Sequence, residues 1–117
     1  MTFIEKYPDS IDLLSFFESE PFFANEMDHH YGYAYTDSNG MKLIFSYAAL
    51  EGWIQTIIEF NGERISQHLS EGVRCFEINS EIRGEYLSSD ITLGETVTQM
   101  EVRLKPYISV QWNTLIK

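Results

Sequence analysis

An α+β domain, with one N-terminal helix packed on a mostly antiparallel sheet of six to eight strands, follows from three features of the 117-residue chain. One short segment near the N-terminus has helical apolar spacing, period-two alternation fills most of the remainder, and two Asn-Gly dipeptides punctuate the alternating runs. The strand count leaves open whether the sheet stays open or curls into a half-barrel. The length suits a single domain over 1–117. Hydrophobic content of 44% and aromatic content of 15% supply a core without metal or disulfide staples, despite a net charge of −10.

Asp9 or Ser10 can cap the helix, whose body is IDLLSFFESE. Ile11, Leu14 and Phe17, with Leu13 and Phe16 beside them, make a broad apolar stripe, and the opposite face is acidic and wet. Asp9 and Asp12 lie where the helix dipole favours negative charge. Pro21 is the expected stop, because proline disfavours a helical conformation in the residue before it.

Strands and turns follow. Tyr31, Tyr33 and Tyr35 recur at period two before Asp37-Ser38-Asn39-Gly40, which leads into MKLIFSYA. Asn61-Gly62 joins GWIQTIIEF to ERISQHL, and both residues of an Asn-Gly pair tolerate positive φ, so each site predicts a hairpin. In GWIQTIIEF, Ile54, Thr56, Ile58 and Phe60 share one face, and Trp53, Gln55, Ile57 and Glu59 the other. After a Glu71-Gly72 turn come VRCFEI and EIRGEYL. Two late strands then carry Thr98, Met100, Val102 and Leu104, and Ile108, Val110 and Trp112, with Pro106 between them. No linker or repeat interrupts the chain.

The residue patterns exclude most chemistry. A single cysteine, Cys75, rules out an intramolecular disulfide, suits a reducing compartment, and in its apolar segment reads as a core residue. His29 and His30 are adjacent, so on a strand they point to opposite faces, and His68 is remote; no metal site is expected. No GxSxG, P-loop or GxGxxG motif occurs, so no catalytic residue is assigned and no cofactor is expected. The N-terminus lacks a basic-then-apolar leader and no apolar run approaches the roughly 20 residues of a membrane span. A soluble, cytoplasmic protein is the expectation.

Charge is the strongest functional clue. Residues 1–63 hold eleven acids against Lys6 and Lys42, a balance of −9, whereas residues 64–117 hold seven acids and six bases. Such a surface repels nucleic acid and anionic lipid and attracts basic partners. The segment Glu26–Asp37, EMDHHYGYAYTD, sets Tyr31, Tyr33 and Tyr35 among Glu26, Asp28 and Asp37. Tyrosine supplies stiff contact area with a hydrogen-bonding tip, so this patch is the candidate partner-binding surface, extended by Glu18 and Glu20 at the helix end. The competing reading makes the tyrosines sheet residues covered by the helix.

A small, acidic, single-domain chain with this patch and no catalytic motif resembles the immunity proteins of bacterial toxin–immunity pairs, including contact-dependent growth inhibition systems. The resemblance implies a non-enzymatic inhibitor, monomeric before complex formation, that occludes the basic active-site cleft of a toxin, with a nuclease and in particular an RNase favoured. Two other classes remain open. One is a small-molecule-binding protein whose curved sheet closes over a cavity lined by Tyr31, Tyr33, Phe45, Tyr47 and Trp53, with His68 as the residue to inspect for catalysis. The other is an adaptor that pairs through a sheet edge.

Overall fold

The computed structural model describes residues 2–116, and they form one helix and nine strands. Helix α1 spans Ser10–Phe17; its cap is Asp9, whose side chain accepts the Asp12 N–H at 2.8 Å. The helix ends earlier than Pro21 requires, because Glu18 turns left-handed at φ 59. Eight residues cover a narrow stripe. Leu13, Phe16 and Phe17 are buried, while Ile11 and Leu14 are exposed rather than part of the apolar face.

The strands divide between two antiparallel sheets instead of one. In the first, β1 (Phe23–Asn25), β2 (His30–Thr36), β3 (Met41–Ala48), β4 (Trp53–Phe60) and β5 (Glu63–Ser70) pair in chain order. In the second, β6 (Glu77–Glu81), β7 (Gly84–Leu93), β8 (Thr96–Arg103) and β9 (Ser109–Ile116) do the same. Both sheets are open meanders, and neither closes into a barrel.

Both Asn-Gly sites are hairpin turns, by different means. At Asn61-Gly62 the two residues take φ 53 and φ 78 and link Phe60 directly to Glu63, the two-residue turn that matches strand twist. At Asp37–Gly40 only the glycine is left-handed, at φ 87. The Gly40 N–H donates to the Asp37 carbonyl and the Asp37 N–H to the Met41 carbonyl, so the loop is longer. Alternation then assigns faces: Leu43, Phe45 and Tyr47 on β3 and Ile54 and Thr56 on β4 turn inward, opposite Leu87 and Ile91 on β7 and Met100 and Val102 on β8.

One core joins the two sheets, the helix and the segments between them. Tyr33 stacks on Phe17 at 4.7 Å between ring centroids, and Phe76 packs against Tyr47 at 4.9 Å. At the other end Trp112 Nε1 donates to Thr56 Oγ1 at 3.0 Å and its indole stacks on His68 at 4.1 Å, bridging β9 to β4 and β5. The chain before α1 is pinned by the Ile4 N–H donating to Ala49 and the Phe76 N–H donating to Lys6. Residues 73–76, expected to belong to a regular strand, contribute only an isolated bridge between Lys6 and Cys75. Cys75 consequently has an exposed side chain and is not a core residue. No helix of the described residues is long and apolar enough to cross a membrane.

Candidate functional site

The charge asymmetry along the chain is also an asymmetry in space. Because each sheet is built from consecutive strands, the −9 segment forms α1 and four of the five strands of the first sheet, and the near-neutral segment forms β5 and the second sheet. Neutralisation follows the same division. The ion pairs among the described residues are Arg83–Glu81, Arg103–Glu81, Arg103–Glu101 and Lys105–Glu18, so every cation comes from the second half. A concavity of about 440 Å³ beside β8 and β9 gathers Arg83, Arg103 and Lys105, each already facing a carboxylate.

The eight candidate residues separate into two groups. At one end, Glu18 pairs with Lys105 at 2.6 Å and holds the lysine ammonium above its ordinary pKa. Tyr35 is half-buried against the core near the same lysine. Asp37 is 8% exposed: its Oδ1 accepts the Asn39 and Met41 N–H groups and its Oδ2 accepts the Ile108 N–H at 3.1 Å. These bonds, that from Ile108 foremost, hold its carboxyl below the ordinary value of 3.8. Asp37 thus fastens two loops, and its oxygens are occupied.

At the other end, Glu20, Glu26, Tyr31 and Tyr33 border a groove of about 700 Å³ between the start of α1 and strands β1 and β2. The β1–β2 turn positions the acids. Asn25 Oδ1 accepts the Asp28 N–H, Asn25 Nδ2 donates to Asp28 Oδ2 at 3.0 Å, and His29 closes the turn at φ 50. Asp28 is therefore exposed on the same turn as Glu26, just outside the groove. The tyrosine row is the inner face of the first sheet: Tyr31, Tyr33 and Tyr35 sit opposite Tyr47, Phe45 and Leu43 in the β2–β3 register. Tyr33 is 2% exposed and reaches the groove only as part of its floor.

Sequence reasoning missed Tyr7 and Asp9 as members of this groove, and grouped Tyr47 with Tyr31 and Tyr33 only in the small-molecule reading. Tyr7-Pro8-Asp9 repeats the tyrosine-plus-carboxylate theme of the Glu26–Asp37 segment, and Asp9 serves both the helix cap and the groove rim. Tyr7 also sets its hydroxyl 3.3 Å from His29 Nδ1, which ties the segment before α1 to the turn. Among the described residues no cation lines the groove. Burial raises the pKa of Tyr31, Tyr33 and Tyr47, and the nearby carboxylates Glu26 and Glu20 add to the effect on Tyr31 and Tyr33 respectively. All three phenols stay protonated in an acid-rimmed hollow.

The cavity of the small-molecule reading does not form as described. Phe45 is fully buried in the core, and Trp53 points to the opposite face of β4 from Ile54, edge-on to His30. His68 is spent in its stack on Trp112.

No family model and no curated protein matches the chain. Among solved structures, a chain of the "Contact-dependent growth inhibition toxin - immunity protein complex from Klebsiella pneumoniae 342" is similar over 97% of this chain and 100% of its own, with a TM-score of 0.94 and 32% identity. The groove offers carboxylates and protonated phenols, the equipment of a binding surface. With that likeness over nearly the whole length, the chain belongs to the immunity proteins of contact-dependent growth inhibition systems.

Proposed function

We propose that the protein neutralises a contact-dependent growth inhibition toxin by binding it, laying its acidic flank over a basic active-site cleft. The observation that carries this reading is the unneutralised charge of the first half. Of its eleven acids only Glu18 has an ion-pair partner among the described residues, and they lie on α1, on the first sheet and in the segments that join them. A field of one sign raises the association rate with an oppositely charged partner by roughly 10 to 1,000-fold. A cleft that binds a polyanion is lined with Lys and Arg, so a nuclease toxin, an RNase first, is the partner this surface fits. The protein itself carries out no reaction, and it meets the toxin as a monomer in the cytoplasm.

The test is a titration of the toxin domain's RNA cleavage with this protein. Loss of cleavage at one equivalent is expected. Full cleavage at equivalence, or a toxin whose lethal activity does not touch nucleic acid, overturns the corresponding part of the proposal.

A further inference from the structure

The groove between α1 and the β1–β2 hairpin has a floor that can receive a polar group from outside the chain. Tyr33 and Tyr47 are each 2% exposed. Their rings are locked, Tyr33 stacked on Phe17 at an interplanar angle of 15° and Tyr47 set edge-on to Phe76 at 65°. No hydrogen bond to either hydroxyl forms among the described residues, and both side chains line the groove, where the two oxygens keep contact with the opening while their rings are buried. A phenol with a buried ring and a hydroxyl open to a groove presents one donor and acceptor in a fixed place to an incoming polar group. The hydroxyls are thus available to a group that arrives through the opening.

What arrives is defined by the walls. Tyr7 and Tyr31 flank Tyr47 with ring centroids 5.3 Å and 5.5 Å away, so three aromatic faces converge. Asp9, Glu20 and Glu26 stand at the rim, and among the described residues no cation answers them there. Carboxylate and phenol oxygens beside aromatic faces are the partners of an organic cation. Between the two basic side chains, arginine fits better. Its guanidinium is planar, presents five donors, stacks on aromatic rings and is more weakly hydrated than an ammonium. The volume, about 700 Å³, also admits the flanking backbone.

We infer that this groove is the receptor for an arginine side chain of the toxin, seated on Tyr33 and Tyr47 and held by Glu20 and Glu26. The inference rests on the inhibitor reading and adds to it a discrete anchor, where the charged flank alone would supply only long-range attraction.

N-acetyl-arginine amide, with its lysine and citrulline counterparts, is the probe, and the tyrosine ring NMR signals of the free protein are the readout. The arginine compound is expected to shift the Tyr31, Tyr33 and Tyr47 signals saturably in the millimolar range. Citrulline, isosteric and uncharged, should leave them unmoved, and lysine should bind more weakly than arginine. E20Q combined with E26Q should weaken the arginine response at least fivefold; both side chains are exposed and make no hydrogen bond among the described residues, so the fold is spared. No saturable shift, or an equal shift with citrulline, overturns the inference. A second arm separates it from the reading beneath it. If E20Q/E26Q binds the toxin as tightly as the parent, the anchor is wrong and the inhibitor stands. If the arginine response is present but the toxin is not bound at all, the inhibitor reading fails.

Discussion

Asp37 Oδ2 accepts the backbone N–H of Ile108 across 71 residues of sequence, tying the β2–β3 hairpin of one sheet to the start of the last strand of the other. The same carboxylate closes its own turn through the Asn39 and Met41 amides. Asp37→Asn removes the charge from three N–H bonds at once and is expected to lower the urea midpoint of unfolding. Because the ionised form carries these bonds, the folded pKa lies below the unfolded one. The stabilisation is complete above the unfolded value and fades as pH falls through the folded value. The parent should therefore lose stability on acidification below about pH 4, and Asp37→Asn should show a flatter acid limb. Parallel limbs would show that Asp37 is not a determinant of acid stability.

Trp112 supplies the matching tie at the other side of the core. Trp112→Phe keeps an aromatic ring but leaves the 3%-exposed Thr56 hydroxyl without its donor. The expected cost is about 1–3 kcal/mol, read from equilibrium urea unfolding. Restoration in Trp112→Phe/Thr56→Val, which removes both partners, would confirm that the unpaired hydroxyl is the cause.

Two left-handed glycines separate backbone strain from steric clash. At Gly62, φ 78, an added Cβ meets nothing within 4 Å, so Gly62→Ala should cost only the left-handed penalty of about 1–2 kcal/mol. At Gly52, φ 72, the same Cβ would lie 2.5 Å from the Thr2 carbonyl oxygen. Gly52→Ala should therefore be clearly the more damaging, as measured by thermal unfolding of the two variants side by side.

Local chemistry was legible in the sequence; spatial partnership was not. The Asp9 cap, the Asn61-Gly62 hairpin and the alternation of Met100, Val102 and Leu104 all follow from spacing of a few residues, and all form as expected. Period two says which face of a strand is apolar but not which strands are neighbours, so the break into two sheets after β5 could not be seen. Cys75 looked like a core residue among Val73 and Phe76, yet this segment makes only a bridge and turns its cysteine outward. For the site, Glu20, Glu26, Tyr31 and Tyr33 do converge on one groove. Asp37 and Glu18 are engaged by Ile108 and Lys105, partners that lie more than 70 residues away. Tyr7 and Tyr47 join the groove only because the segment before α1 folds back over the first sheet.

An encounter steered by an unpaired acidic layer must weaken as salt is added. The association rate with the toxin, followed by stopped-flow fluorescence, is expected to fall at least about tenfold between low and high ionic strength, with the dissociation rate changing far less. A salt-independent association rate would mean that the acidic layer does not guide the encounter.

The central claim is that the acids beside the groove, and not net charge in general, bind the toxin. Its sharpest test compares toxin dissociation constants for two triple charge reversals at low salt: Glu20→Lys/Glu26→Lys/Asp28→Lys on the first sheet, and Glu77→Lys/Asp90→Lys/Glu95→Lys on the second, all exposed positions. The first should weaken binding at least about 100-fold, roughly 2.7 kcal/mol, and the second less than about tenfold by the general fall in attraction. Equal losses from the two variants, or a greater loss from the second, would contradict the account.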